Sequence, residues 1–201
     1  MSDTMKSYVA GLLKYSADIT YFLAPYINSY KRLMPGTFAP TKIAWSIDNR
    51  TACYRLVGDG TKGVRIECRT PGSDINLYLA CAAQLAAGLT GIKEGLDLPP
   101  PVTGDVYKMD DVPVLPYTLR AATEMLRNSA MLRKTMGDWV VDHYTRCAEI
   151  EQEGGGLGVG VLDLLEDGLD APDVRDREKR TDPFGRLGRH PRPGALPVRG
   201  L

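Results

Sequence analysis

At 201 residues, with 43% hydrophobic side chains and 25 basic residues matched by 25 acidic ones, the chain has the composition of one folded domain, or one domain and a tail. Zero formal net charge gives no global attraction to nucleic acid, no apolar run approaches the roughly 20 residues of a membrane span, and residues 1–6 lack the basic start and apolar stretch of a signal peptide. The cysteines, Cys53, Cys68, Cys81 and Cys147, show no metal-ligand spacing and read as reduced, mostly buried thiols of a cytoplasmic protein.

Met5, Tyr8, Val9, Leu12 and Leu13 recur at helical spacing and predict a helix over 4–15. A second short helix is expected over 18–30, and Pro35-Gly36 and Ala39-Pro40 mark a loop. A strand over 42–47 turns at Asp48-Asn49 into a second over 51–57, and Gly58-Asp-Gly-Thr61 turns into a third over 64–69. In that third strand Arg65, Glu67 and Arg69 share one side while Ile66 and Cys68 point the other way. Two readings stand for it: a solvated strand of alternating ion pairs, or a site for an anion and a metal. A helix over 74–92, with Ser73 or Asp74 as N-cap, is so rich in alanine and glycine that close packing is expected on all its sides.

Pro99–Pro101 begin an extended connector, and residues 105–116 read as irregular. Helices are predicted over 118–133 and 136–152, the latter with Trp139, Val140, His143, Tyr144 and Cys147 on its apolar face. His143 then reads as a packed or hydrogen-bonded histidine rather than a base, and Tyr78 and Tyr107 as core or interface residues. The character changes at Gly154. A phosphate-binding loop there would need a preceding strand and a following Gly-Lys-Ser/Thr, which are missing. The expected division is a domain over 1–152 and a flexible tail over 153–201, with a short helix at 161–169. The arginines over 175–199 alternate with aspartate, proline and glycine and read as solvated rather than as a nucleic-acid surface.

An ordered series of short motifs is more specific than any one of them. It runs Asn28-Ser-Tyr-Lys-Arg32-Leu, Pro35-Gly, Ala39-Pro40, Asp48-Asn-Arg50-Thr-Ala, Arg55, Arg65-Ile-Glu67-Cys-Arg69, Pro71-Gly and Asn76-Leu-Tyr-Leu. Over residues 5–150 the series resembles the C-terminal part of the glutamine synthetase catalytic domain. Gly36-Thr-Phe-Ala-Pro-Thr41 is closer in flavour to the family's γ-glutamyl-amine and polyamine ligases. The resemblance implies an α+β fold: a partial antiparallel sheet backed by helices, with a disordered C-terminal tail. It also implies an ATP-dependent ligase that joins glutamate, through γ-glutamyl phosphate, to ammonia or an amine with Mg2+ or Mn2+. Complete members assemble as rings, expected as dodecamers; no nucleic acid and no membrane is implied.

Carried over by resemblance, Arg50 would contact the transferring phosphate. Arg55, Arg65 and Lys62 would bind nucleotide phosphates, Arg32 and Arg69 would hold glutamate or its γ-phosphate, and Glu67 would be a metal ligand. Regular alternation would put Arg50 and Arg55 on opposite faces, so they converge only if Arg50 sits in the turn. Phe38 stands where many members carry a glutamate that guards the ammonium site, which argues for a larger or less charged amine. Leu77 replaces the family's proline at a first helical turn, where proline is favourable but not obligatory. The family's other metal-binding carboxylates, its His-x-His segment and its small N-terminal domain lie upstream of this stretch, and its Trp-Glu ending is missing, which suggests a reading-frame shift near residue 153. One carboxylate cannot hold several metals, so the isolated chain is expected to be inactive. The competing readings are a non-catalytic assembly module and an inactive gene remnant.

Overall fold

The computed structural model describes residues 1–155; the expected tail is therefore described only at residues 153–155, which end the last helix, and its short helix over 161–169 lies outside the described residues. Helix α1 (Asp3–Lys14) starts at Ser2, whose hydroxyl accepts from Met5 N at 3.2 Å, and it buries Val9, Ala10, Gly11 and Leu12. Helix α2 (Ser16–Leu23) follows with only Tyr15 between. It is shorter than the expected 18–30, because Ala24 precedes Pro25 and is driven out of the helical region to φ −150°, ψ 74°. A 3-10 turn, Ile27–Arg32, resumes the chain and ends on Lys31 and Arg32.

Strands β1 (Trp45–Ile47), β2 (Tyr54–Val57) and β3 (Arg65–Cys68) form one sheet in that order. β2 and β3 pair antiparallel as expected, with Arg55 opposite Glu67. β1 and β2, however, run parallel, Trp45 opposite Tyr54, so the sheet is mixed rather than antiparallel. The cause lies in residues 48–53, which make a full loop instead of a hairpin. Asp48 sits at φ 48°, and the Asn49 side-chain oxygen Oδ1 accepts from Thr51 N at 2.9 Å and Thr51 Oγ1 at 2.7 Å. The chain therefore re-enters the sheet in its original direction.

Helix α3 (Leu77–Lys93) is capped by Asn76, whose Oδ1 accepts from Tyr78 N at 3.0 Å and Leu79 N at 3.3 Å. Asp74, an expected cap, is instead held by Ser29 Oγ at 2.5 Å. The helix is buried on one face only. Ala80, Ala83, Ala87, Gly88 and Gly91 turn inward, while Leu77, Tyr78, Cys81, Leu85 and Leu89 are exposed, Tyr78 at 88%. Against α1 the backbones nearly touch: a Cβ added at Gly11 would lie 2.4 Å from the Ala87 carbonyl oxygen and 2.7 Å from Gly91 Cα. Only glycine permits that approach. Tyr54 anchors the sheet beneath, its buried hydroxyl 3.2 Å from the Leu12 carbonyl and 3.1 Å from Ser16 Oγ.

Residues 105–116 are irregular as expected, apart from a 3-10 turn at Val106–Lys108 and a bridge between Val114 and Lys42. The helix predicted over 118–133 is two helices, α4 (Leu119–Asn128) and α5 (Ala130–Met136). Ser129 leaves the helical region at ψ 101°, and its hydroxyl accepts from Leu132 N at 3.1 Å to cap α5. Gly137, at φ 91°, separates α5 from α6 (Asp138–Gly155). On α6 the buried residues are Val141, Thr145 and Ala148; of the predicted stripe, Tyr144 packs against the core and meets the Tyr21 and Phe22 rings. Trp139 is 76% exposed and stacks on the exposed ring of His143, outside the core. Among the described residues no helix is long and apolar enough to cross a membrane.

Candidate active site

Antiparallel pairing sets Arg55 across from Glu67, and alternation sets Arg65 on the same side two residues away. Arg55 Nη1 donates to Glu67 Oε2 at 3.0 Å and Arg65 Nη2 to Glu67 Oε1 at 3.4 Å. The other Arg55 amino group donates to the Asp48 carboxylate. Asp48 first, then Glu67, raise the pKa of the Arg55 guanidinium and keep it charged. Its Nε is buried without a hydrogen-bond partner. The strand thus carries the alternating ion pairs of the plainer reading. Sequence reasoning took Asp48 for a turn residue only; its αL backbone is what aims the carboxylate at Arg55.

Arg69 lies just past β3 and joins two loops. Its Nε donates to the Arg50 carbonyl at 3.1 Å and its Nη2 to the Phe38 carbonyl at 2.9 Å. Arg32, at the end of the 3-10 turn, donates to the Thr70 carbonyl. Burial lowers the Arg32 pKa, and the nearby Asp74 carboxylate opposes that shift. Arg32 therefore holds the start of the Thr70–Asp74 segment that leads into α3, while Arg69, next to it in sequence, turns to the other two loops.

Loop 36–40 is the strained part of this surface. Phe38 holds φ 58°, a left-handed conformation a bulky side chain adopts only when its surroundings impose it, yet it is 64% exposed. What imposes it is visible: Arg69 takes the Phe38 carbonyl, and the Tyr107 hydroxyl donates to the Ala39 carbonyl at 2.8 Å. Tyr107, expected as a core or interface residue, is a fastener of this loop, and no spacing in the sequence signals that.

Arg50 sits in the turn, as its convergence with Arg55 requires, and its backbone joins the Arg69 group. Its side chain is exposed and has no hydrogen-bond or ion-pair partner among the described residues. Lys62, in the exposed β2–β3 turn, has none either, and no contact draws it to the others. Glu67 is a single carboxylate already shared by two guanidiniums. Among the described residues no group of three or more His, Cys, Asp or Glu could hold a metal ion. A hard dication takes about six oxygen ligands, so these residues do not by themselves fit one.

Residues 1–156 match the catalytic domain of glutamine synthetase as a family. A γ-glutamylethanolamide synthetase of Streptomyces coelicolor is 48% identical over 151 residues, 75% of this chain and 32% of the relative. The glutamine synthetase of Thermus thermophilus is 39% identical over 158 residues, 75% of this chain and 35% of its own length. A solved GmaS–ADP complex superposes with a TM-score of 0.71 at 27% identity, covering 85% of this chain and 40% of that one. The chain thus spans about a third of the length of the curated relatives it matches. Over residues 1–156 it belongs to the glutamine synthetase family, within the catalytic domain.

Proposed function

We propose that residues 1–155 supply the guanidinium-bearing part of an ATP-dependent ligase that joins glutamate to an amine. The observation that carries this reading is Arg69, which ties the Arg50 turn and the Phe38 loop to the end of the charged strand. In the reaction, the γ-carboxylate of glutamate takes the terminal phosphoryl group of ATP and ADP leaves. The amine nitrogen then attacks the acyl phosphate, loses a proton, and expels inorganic phosphate. Charge on the transferring group has to be neutralised by fixed cations.

Arg50 is assigned to that phosphate, and its support is an exposed side chain without a partner among the described residues. Arg55, Arg65 and Lys62 take nucleotide phosphates; for Arg55 this means exchanging an ion pair with Asp48 or Glu67. Arg32 and Arg69 orient glutamate through a planar fork suited to carboxylate. Glu67 would be one ligand of a divalent metal completed by carboxylates beyond the described residues. The proposed setting is the cytoplasm, with the ring assembly of complete members.

Phe38 marks the acceptor side. An exposed ring with no carboxylate in that loop favours an amine with a carbon body over ammonium, in keeping with the ethanolamide-forming relative. The test is a complete relative in which residues 1–155 replace the corresponding segment. With ATP and glutamate it should form product with ethanolamine or a diamine in preference to ammonia, Arg50→Ala should abolish phosphate release, and Phe38→Glu should shift preference toward ammonia. Near-normal turnover of Arg50→Ala would refute its assignment, and unchanged selectivity of Phe38→Glu would refute the acceptor reading. A second reading, an assembly module without catalysis, is favoured by the exposed apolar side of α3. It predicts co-assembly with a complete relative and no nucleotide binding.

A further inference from the structure

Residues 104–108 carry Tyr107 and are tied down at their base. The Asn49 side-chain amide donates to the Gly104 carbonyl at 2.7 Å, and Val106 N donates to Thr51 Oγ1 at 3.1 Å. Asn49 and Thr51 are the two neighbours of Arg50 in the β1–β2 loop. Val106 is fully buried with Ala44 and Ala52, and the Asp105 carboxylate accepts from Tyr107 N at 3.1 Å to cap the 3-10 turn. The base of Tyr107 is therefore fixed to the turn that presents Arg50.

From that base the side chain reaches across to loop 36–40, where its hydroxyl donates to the Ala39 carbonyl at 2.8 Å. Burial first, then the Asp105 carboxylate, raise the pKa of this hydroxyl and keep it a donor. Arg69 spans the same two loops separately, from the Arg50 carbonyl to the Phe38 carbonyl. The two bridges grip successive carbonyls, Phe38 and Ala39, and two fixed points set an orientation where one would leave a pivot. The remaining polar contacts of the loop are local: the Thr37 hydroxyl donates to the Met34 carbonyl at 2.7 Å and the Arg32 carbonyl at 2.9 Å. They shape the loop without relating it to Arg50.

We propose that Tyr107 is a positioning residue for the amine acceptor, fixing the exposed Phe38 ring relative to the Arg50 turn and so the approach of the amine nitrogen to the acyl phosphate. The proposal rests on the ligase reading. An amine with a carbon body takes its place from the ring, so a small swing of the loop misaligns its nitrogen. Ammonia has no carbon body to rest there and is indifferent to the swing. ATP and glutamate are held by the arginines, which keep their own contacts when the Tyr107 hydroxyl is lost.

Two measurements test this. In the 201-residue chain, Tyr107→Phe removes the hydroxyl and keeps the ring. Hydrogen exchange over residues 36–39 should quicken about fivefold, the effect of one lost hydrogen bond, with exchange in α1 and α3 unchanged. Thr51→Val, which cuts the tether at its base, should act in the same direction, and Thr51→Ser, which keeps a hydroxyl, should restore the wild-type rate. In the complete relative carrying residues 1–155, Tyr107→Phe should raise KM for ethanolamine about fivefold and leave KM for ATP, glutamate and ammonia within about twofold. Unchanged exchange in Tyr107→Phe would overturn the proposal, and so would a rise in all four KM values together, the mark of a merely structural role. An active chimera whose KM for ethanolamine ignores Tyr107→Phe would overturn this proposal alone. A wild-type chimera that forms no amide with any amine or ammonia would remove the ligase reading and the acceptor role with it.

Discussion

Helices α1 and α3 meet backbone to backbone through Gly11 and Gly91, with the Tyr8 ring laid over Gly88, whereas β2 and β3 meet solvent through Arg55, Arg65 and Glu67, linked by ion pairs. The two contacts respond to opposite kinds of change. At the glycine contact one added carbon collides with main chain that cannot rotate away, so shape decides everything and charge nothing. On the charged strand, side chains half in water trade partners at little cost, so shape is forgiving and chemistry is concentrated. Stability resides mainly in the first region and proposed function in the second.

The comparison breaks most decisively at Gly91. Gly91→Val places carbon within 2.5 Å of Gly11 Cα and 2.4 Å of the Ser7 carbonyl and should cost about 3 kcal/mol in urea unfolding. A loss under about 1 kcal/mol would mean that α1 can retreat from α3 and that the contact is not rigid. Phe38→Gly should go the other way, gaining about 1 kcal/mol by relieving a left-handed aromatic residue. In the complete enzyme the same change should loosen acceptor selectivity; a variant both less stable and unaltered in selectivity would show that Phe38 packs rather than selects.

Smaller effects sharpen the contrast. Glu67→Gln should move stability by no more than about 1 kcal/mol, because Arg55 keeps Asp48, while nucleotide binding by the complete enzyme should fall. Measured together, unfolding and nucleotide titration separate the structural role of Glu67 from the chemical one. Asp18 offers the finest test. Burial raises its carboxyl pKa, with the Ser129 hydroxyl pulling the other way. A raised folded pKa means the charged form is penalised, so its contribution is most favourable below the ordinary carboxylate range and is lost as pH rises through the folded value. Asp18→Asn, which can still accept from Ser129, should therefore gain slightly in melting temperature near neutral pH and match the wild type in acid. An advantage that persists in acid would reverse the sign.

Local patterns identified most elements correctly and their partners less well. The three strands were visible from alternation and turn residues, but the parallel return of β2 depends on Asp48 adopting αL and on the Asn49 side chain closing the loop, neither of which alternation encodes. The small-residue composition of α3 announced close packing, and the structure supplies it on one face only, because its partners α1, α2 and α5 leave Leu77, Tyr78, Cys81, Leu85 and Leu89 in solvent. On α6, Trp139, His143 and Tyr144 at helical spacing looked like a core stripe, yet of these only Tyr144 packs on the core, and the buried positions, Val141, Thr145 and Ala148, form the neighbouring stripe. The charged residues were found by motif order, and their pairing follows from register. Tyr107 and Asp48 were missed as members of the surface because their contacts join segments far apart in sequence or depend on backbone handedness.

The glycine contact also has a mechanical meaning. Sliding α1 by one helical turn along α3 would bring side chains from the next turn into a slot that admits only hydrogen, so the pair has a single register and behaves as one strut. The near end of that strut is Asn76, six residues beyond Thr70, whose carbonyl Arg32 holds. A push on the outer side of α1 would then arrive at the arginine cluster as displacement rather than being absorbed as slippage.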